Sequence, residues 1–169
     1  MHEVLELCAI IRVQTWDSDA GVPPKVEQAL GLIWPQQTGA VATGGADVIC
    51  TGSTDWLMMA SDPDSVALLR VLGEAFEESA FRATDVSSSL VRIRISGSKA
   101  RELLAKACAL DLHPAAFLPG RCARTRFAGM PVIIRCTSNS TFECIVASSY
   151  RDYLTAWLTD AALEFAAAR

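Results

Sequence analysis

Between residues 90 and 96, apolar and charged side chains alternate. Val91, Ile93 and Ile95 fall on one side, with Arg92 and Arg94 on the other. A period of two marks a strand with one face buried, and Gly97 ends it. The period then changes. Ala100, Leu103, Leu104, Ala107 and Cys108 stand at i, i+3, i+4, i+7 and i+8. That spacing predicts a helix with one apolar face, capped by Ser98. Short apolar runs at 122–127 and 131–136, linked by Ala128-Gly129-Met130, read as two further strands. Ser138-Asn139-Ser140 is a turn signal before another strand over 141–148. A last helix follows. Ser149 and Asp152 suit a capping box, and Tyr153, Leu154, Trp157, Leu158, Ala161 and Phe165 mark its buried side.

The first half has the same order. A strand over 7–15 contains Ile10-Ile11-Arg12-Val13. A turn region over 17–24 leads to a short helix over 24–32. Strands at 46–51 and 55–61 form a hairpin about Gly52-Ser53-Thr54. Asp62 and Pro63 form a strong helix start for a segment reaching about residue 79, with Leu68, Leu69, Leu72 and Phe76 as its buried stripe. The halves align at Ile11-Arg12-Val13 with Ile93-Arg94-Ile95, and at residues 54–61 with 141–148. The pattern predicts an α+β fold: a duplicated strand–helix–strand–strand–helix unit with antiparallel sheets packed by helices. It predicts one domain over 1–169, with pseudo-repeat halves at about 1–80 and 83–169.

The stretch 109–126 is the exception. It joins the predicted helix to the predicted strand, whereas such connections need about 4–6 residues. It holds His113, Pro114, Phe117, Pro119, Gly120, Arg121, Arg124 and Arg126. This loop is either a binding element or a family signature.

Composition changes the picture in two ways. The 169 residues are 51% hydrophobic and 20% charged, enough to bury a full core. Net charge is −4 and the pI about 5.1, which argues against general nucleic-acid binding. Yet residues 82–135 carry ten Lys and Arg against three Asp and Glu, a local +7. Such a segment reads either as a basic face for an acidic partner or as solvated strand faces. No cationic leader and no run of about 20 apolar residues is seen, so the reading is cytoplasmic with no membrane association.

No catalytic set emerges. There is no Gly-x-Gly-x-x-Gly, no P-loop and no Gly-x-Ser-x-Gly. His113 is the one histidine placed for proton transfer, with Asp111, Arg121 and Arg124 as helpers; the alternative is that it caps a helix end. His2 reads as a loose terminal residue. The six cysteines, none in a C-x-x-C pair, read as buried free thiols. A metal site of His113, Cys122 and Cys136 is the weaker reading. Trp34 before Pro35 reads as either core or an exposed anchor. The predicted catalytic, cofactor and metal residues are therefore none.

Two motifs carry a resemblance. Asp85-Val86-Ser87, the strand ending at Ser96-Gly97, and Ala100-Arg101-Glu102-Leu103-Leu104 resemble the opening of the folate-binding aminomethyltransferase domain of the glycine-cleavage T-protein and its relatives. Ala109-Leu110-Asp111-Leu112-His113-Pro114, Phe117, Pro119-Gly120, Cys122-Ala123-Arg124-Thr125 and Pro131-Val132 resemble the gamma subunit of heterotetrameric sarcosine oxidase, as does the run Tyr150…Tyr153-Leu154…Trp157-Leu158. The resemblance implies four different subunits. It implies NAD and a folate-binding region on alpha, FAD and covalent FMN on beta, and zinc on a small delta subunit. The flavoprotein complex oxidatively demethylates sarcosine to glycine. Its other products are hydrogen peroxide and formaldehyde, or methylenetetrahydrofolate when tetrahydrofolate is present. The gamma subunit itself is implied to be non-catalytic.

Two functions follow as expectations. One is an assembly subunit that meets its partners through Phe117, Arg121, Arg124, Arg126 and His113, since aromatic and arginine side chains anchor interfaces. The other is a free folate-binding or aminomethyltransferase-like protein, with Arg92, Arg94 or Arg124 meeting the glutamate tail of folate.

Overall fold

The structure is a computed structural model; it describes all residues except 1, 6–7, 18, 20, 61–64, 78 and 168–169. It is an α+β chain with two five-stranded antiparallel sheets. Contacts divide it into two compact units, residues 7–87 and residues 1–6 with 88–169.

In the first unit β2 (Ala9–Thr15), α1 (Pro24–Leu30), β3 (Val41–Thr43), β4 (Asp47–Gly52), β5 (Asp55–Ala60), α2 (Ser65–Phe76) and β6 (Phe81–Asp85) follow in order. The strands lie as β3-β4-β5-β2-β6. Ile11, Val13, Val48, Met58 and Trp56 form the core with Val26 and Leu30 of α1 and Leu72 and Phe76 of α2. Pro24 opens α1, where a missing N–H costs nothing. Gly31 closes it in the left-handed region at φ 62°. The chain returns across this end so closely that a Cβ on Gly44 would stand 2.6 Å from the Leu30 carbonyl oxygen. The Asp62 and Pro63 helix start lies outside the described residues.

The second unit contains β7 (Leu90–Ser96), α3 (Ala100–Ala105), β8 (Arg121–Phe127), β9 (Met130–Ser138), β10 (Thr141–Ala147), a 3-10 turn (Ser148–Tyr150) and α4 (Arg151–Ala167). Its fifth strand is β1 (His2–Val4), giving the order β1-β7-β10-β9-β8. The alternation in β7 buries Val91, Ile93 and Ile95 with Phe142, Cys144 and Val146 of β10. Leu103 and Leu104 of α3 and Leu154 and Leu158 of α4 complete this core. Each such side chain withdrawn from water contributes roughly 1.5–3 kcal/mol.

Several expectations change. His2 is half-buried in β1, in register with Ile95, and its Nε2 lies 3.5 Å from the Thr159 hydroxyl, so it is not loose. α3 is only six residues long. Lys99, not Ser98, precedes it, and no side chain caps it. Ala107 and Cys108 leave the helix, because Cys108 turns away to bridge Phe127. The last helix begins through a 3-10 turn without a side-chain cap rather than a Ser149 capping box. Tyr153 is exposed, and its hydroxyl donates to the Ala128 carbonyl at 3.2 Å. Trp34 is buried, 5.8 Å from Trp56, and no anchor. Five cysteines are buried and Cys108 half-buried, all six as free thiols.

The repeat is visible in strand pairing. Ile11 stands opposite Met58, and Ile93 opposite Cys144. Sheet register therefore maps Met58 onto Cys144. The alignment of 54–61 with 141–148 maps it onto Ile145, on the other face, and a one-residue slip inverts every side chain. The edge strands are exchanged between repeats: β1 precedes the first repeat but pairs with β7, while β6 precedes the second but pairs with β2.

Candidate functional site

The long connection between α3 and β8 is held by one side chain. Arg101, in the first turn of α3, sends its guanidinium under the loop. Nη1 donates to the Leu112 carbonyl, and both Nη1 and Nη2 to the Phe117 carbonyl at 3.2 Å. Nε donates to the Asn139 carbonyl at 3.1 Å. The planar fork supplies five donors in fixed directions, so it satisfies carbonyls from two loops at once.

The loop's backbone closes on itself. Asp111 Oδ1 accepts from the His113 N–H at 2.9 Å, and His113 Nδ1 accepts from the Ala115 N–H at 3.2 Å. The Ala116 and Phe117 N–H groups both donate to the His113 carbonyl at 2.9 Å. Gly120 takes φ +80°, a conformation glycine adopts without strain, and its N–H donates to the Cys136 carbonyl. Beside the loop lies a groove of about 410 Å³ lined by Arg101, Glu102, Ala105 and residues 110–114.

This geometry decides the predicted residues. Phe117 is 5% exposed and stacks in parallel with Phe142 at 6.5 Å. It serves the core, and a residue so buried cannot reach a partner from the folded chain. Its neighbour Leu118 is exposed instead. His113 is exposed, but its ring Nδ1 accepts from the Ala115 N–H, and Asp111 accepts from the His113 backbone N–H rather than from the ring, so His113 caps a turn inside the loop and not the end of α3. Arg121 is half-buried; Arg124 and Arg126 are exposed. Arg126 donates to the Gly129 carbonyl at 2.6 Å. Among the described residues no group of three His, Cys, Asp or Glu is placed to hold a metal ion. No described helix is long and apolar enough to cross a membrane.

A second cluster escaped the sequence reading. Glu143 is buried in β10, with Arg92 Nη2 at 2.9 Å, Arg94 Nη2 at 3.7 Å and Arg135 Nη1 at 3.9 Å. Arg94 also reaches Glu3 of β1 at 2.8 Å. Both β7 arginines are thus cross-strand partners of carboxylates: Arg92 is largely withdrawn from water, while Arg94 and its partner Glu3 remain partly solvated. The signal was available: Glu143 interrupts an apolar strand at the parity opposite Phe142 and Cys144. In the first unit Arg12 grips Asp55 with two bonds, 2.7 and 3.2 Å, and the Asp55 carboxylate raises the affinity of Arg12 for its proton. Burial, with Cys108 and Glu143 adding to it, pushes the Cys144 thiol up to about 12. Burial also raises Cys136, partly opposed by Arg101, whose Nη2 lies 3.8 Å from its sulfur.

The sequence matches the sarcosine oxidase, gamma subunit family over residues 16–164. A sarcosine oxidase subunit gamma of Corynebacterium sp. (strain P-1) is 31% identical over 141 residues, covering 82% of this chain and 68% of the relative. One of Arthrobacter sp. is 32% identical over 140 residues, covering 82% and 68%. A chain of the heterotetrameric sarcosine oxidase from Corynebacterium sp. U-96, solved with pyrrole 2-carboxylate, superposes with a TM-score of 0.89 at 24% identity. That match covers 98% of this chain and 84% of the other. Aminomethyltransferase T of the glycine cleavage system from Bartonella henselae shares the fold at a TM-score of 0.64 and 12% identity, over 93% of this chain and 44% of its own.

Proposed function

The chain belongs to the sarcosine oxidase gamma subunit family, and from that premise we propose that it is a non-catalytic assembly subunit of a heterotetrameric sarcosine oxidase-type complex. The whole chain, 1–169, acts as one gamma-subunit domain. Its partners are alpha, beta and delta subunits in the cytoplasm, and it binds neither nucleic acid nor membrane. The complex removes the methyl group of sarcosine or a related N-methyl amine by oxidation. FAD, FMN, NAD and zinc are held by the partners, and tetrahydrofolate, where it takes part, acts there too. Arg121, Arg124, Arg126 and His113 belong to the contact surface.

One observation carries this reading beyond family membership: the ionisable groups that chemistry would need are spent on structure. His113 and Asp111 accept from loop backbone, Arg101 holds three carbonyls, and Glu143 is enclosed by arginines. The rival, a free folate-binding protein, draws support from the shared aminomethyltransferase fold. It is weakened because Arg92 and Arg94 face Glu143 and Glu3 rather than an open site.

Co-expression with the neighbouring reading frames tests the proposal. The expected result is a four-subunit particle by native mass spectrometry, with flavin absorbance that the chain alone lacks. A chain that elutes as a monomer without flavoprotein partners overturns it. Calorimetric titration of the isolated chain with tetrahydrofolate tests the rival, which requires heat of binding.

A further inference from the structure

The tryptophans of this chain separate by exposure. Trp34 and Trp56 are 3% and 5% exposed, and Trp157 is half-buried with its ring against Phe127. Trp16 is 74% exposed. Small apolar side chains scattered singly over a surface are ordinary. An indole is different: it is the largest side chain, and folded chains withdraw most of it from water.

The backbone on both sides of Trp16 is held. Trp16 follows directly on β2, and its N–H donates to the Ala80 carbonyl at 3.4 Å. The Thr15 N–H donates to the Thr54 carbonyl at 3.1 Å. The Thr15 hydroxyl accepts from the Asp17 N–H at 3.1 Å and donates to the Asp17 carbonyl at 3.0 Å. Asp17 Oδ1 in turn accepts from the Asp19 N–H at 3.0 Å. A side chain on a backbone already ordered loses little freedom when it is bound, and tryptophan has only two side-chain torsions to fix. Asp17 and Asp19 are both exposed, and neither forms an ion pair among the described residues. Arg82, exposed on β6 opposite Gln14, pairs with neither of them.

We propose that Trp16 anchors a partner subunit: its indole enters an apolar slot on the partner, and lysine or arginine at the rim of that slot meets Asp17 and Asp19. The inference rests on the assembly-subunit reading and deepens it. Tryptophan is enriched among the few side chains that carry most of an interface's binding energy. The two carboxylates set the sign of the rim, because complementary charge steers the encounter and like charge excludes wrong partners. The same carboxylates disfavour a second copy of this chain at this turn, since two such turns would bring acid against acid. The sequence pointed to Trp34 as the exposed anchor. The structure buries Trp34 and presents Trp16 instead.

Hydroxyl-radical footprinting of the assembled complex and of the chain alone tests this, with oxidation read residue by residue in the mass spectrometer. Trp16 should be oxidised about tenfold more slowly in the complex, while Trp34 and Trp56 stay slow in both. The Trp16→Ala variant should bind its partners about thirtyfold more weakly, the scale of a hot-spot residue, and Trp16→Phe should recover part of the loss. Asp17→Asn/Asp19→Asn keeps an acceptor for the Asp19 N–H; it should weaken binding at low salt and match the wild type at high salt, where exposed charges are screened. Circular dichroism and melting of each variant alone identify misfolding, and the footprint stands without any variant. A wild-type complex in which Trp16 is oxidised as fast as in the free chain overturns the proposal while leaving the subunit reading intact. So does protection of Trp16 in the chain alone that rises with its concentration, which would place a second copy there. An Asp17→Asn/Asp19→Asn variant that binds as the wild type does at low salt overturns the cationic rim. A wild-type chain that assembles with nothing overturns both the anchor and the subunit reading.

Discussion

The guanidinium carbon of Arg101 lies 4.9 Å from the centre of the Phe142 ring, between a loop and a core strand. A cation over an aromatic face is attracted by the ring quadrupole, and here the same cation donates to loop carbonyls. Phe142 in turn stacks on Phe117. Core, cation and loop therefore form a continuous stack, which ties the loop to α3 and β10 at Leu112 and Phe117.

Replacing Arg101 with methionine keeps much of its stem packing and removes the donors. The carbonyls of Leu112, Phe117 and Asn139 lose a charged partner, and hydrogen bonds to charged groups contribute about 1.5–3 kcal/mol. The expected loss is about 2–3 kcal/mol in urea unfolding. Proteolytic nicking should concentrate at 113–119. Arg101→Lys should recover less than half of the loss, because a point charge cannot reproduce the fork.

Glu143 and Glu3 hold ends of the same arginine network at different depths. Removing one partner of a buried ion pair costs about 3–5 kcal/mol, whereas exposed pairs contribute under about 1 kcal/mol. Glu143→Ala should therefore lower stability by several kcal/mol, and Glu3→Ala by less than one. Chemical denaturation of the two variants side by side gives the comparison.

Ala128 adopts φ 47° in the turn between β8 and β9, followed by Gly129 at φ 83°. A two-residue hairpin turn with both φ positive favours Asn-Gly, and an alanine there is strained. Ala128→Asn should stabilise the chain by about 0.5–1 kcal/mol, seen as a higher urea midpoint with unchanged slope.

The buried Cys144 thiol keeps its proton up to about pH 12, while the unfolded chain releases it near 9. Between these values the unfolded state binds fewer protons, so stability falls as pH rises, by about 1.4 kcal/mol per unit for one thiol. Below pH 9 this contribution is complete. Cys50 and Cys136 shift in the same direction. Unfolding free energy measured from pH 8 to 11 should therefore decline, and Cys144→Ala should reduce the slope despite a lower starting stability.

Parts of the fold were legible because their cause is local. The alternation of β7 and the i, i+3, i+4 spacing of Ala100, Leu103 and Leu104 needed no partner to be read. β1 and β6 were not legible. Three residues such as His2, Glu3 and Val4 carry no periodicity, and what makes them a strand is Ile93 to Ile95, some ninety positions away. Phe117 misled for the same reason. On a loop between prolines an aromatic looks exposed; only the approach of Phe142 shows it to be core.

By itself the sequence determined the fold class, the duplicated order of elements and the family. Those properties follow from short-range periodicity and from motifs contiguous in the chain. Tertiary structure alone decided which edge strand serves which sheet, which charge meets which, and that the loop's keystone is Arg101 rather than His113. Strand pairing, and hydrogen bonds between residues 11 to 38 positions apart, depend on where the backbone returns in space, and no local pattern encodes that return.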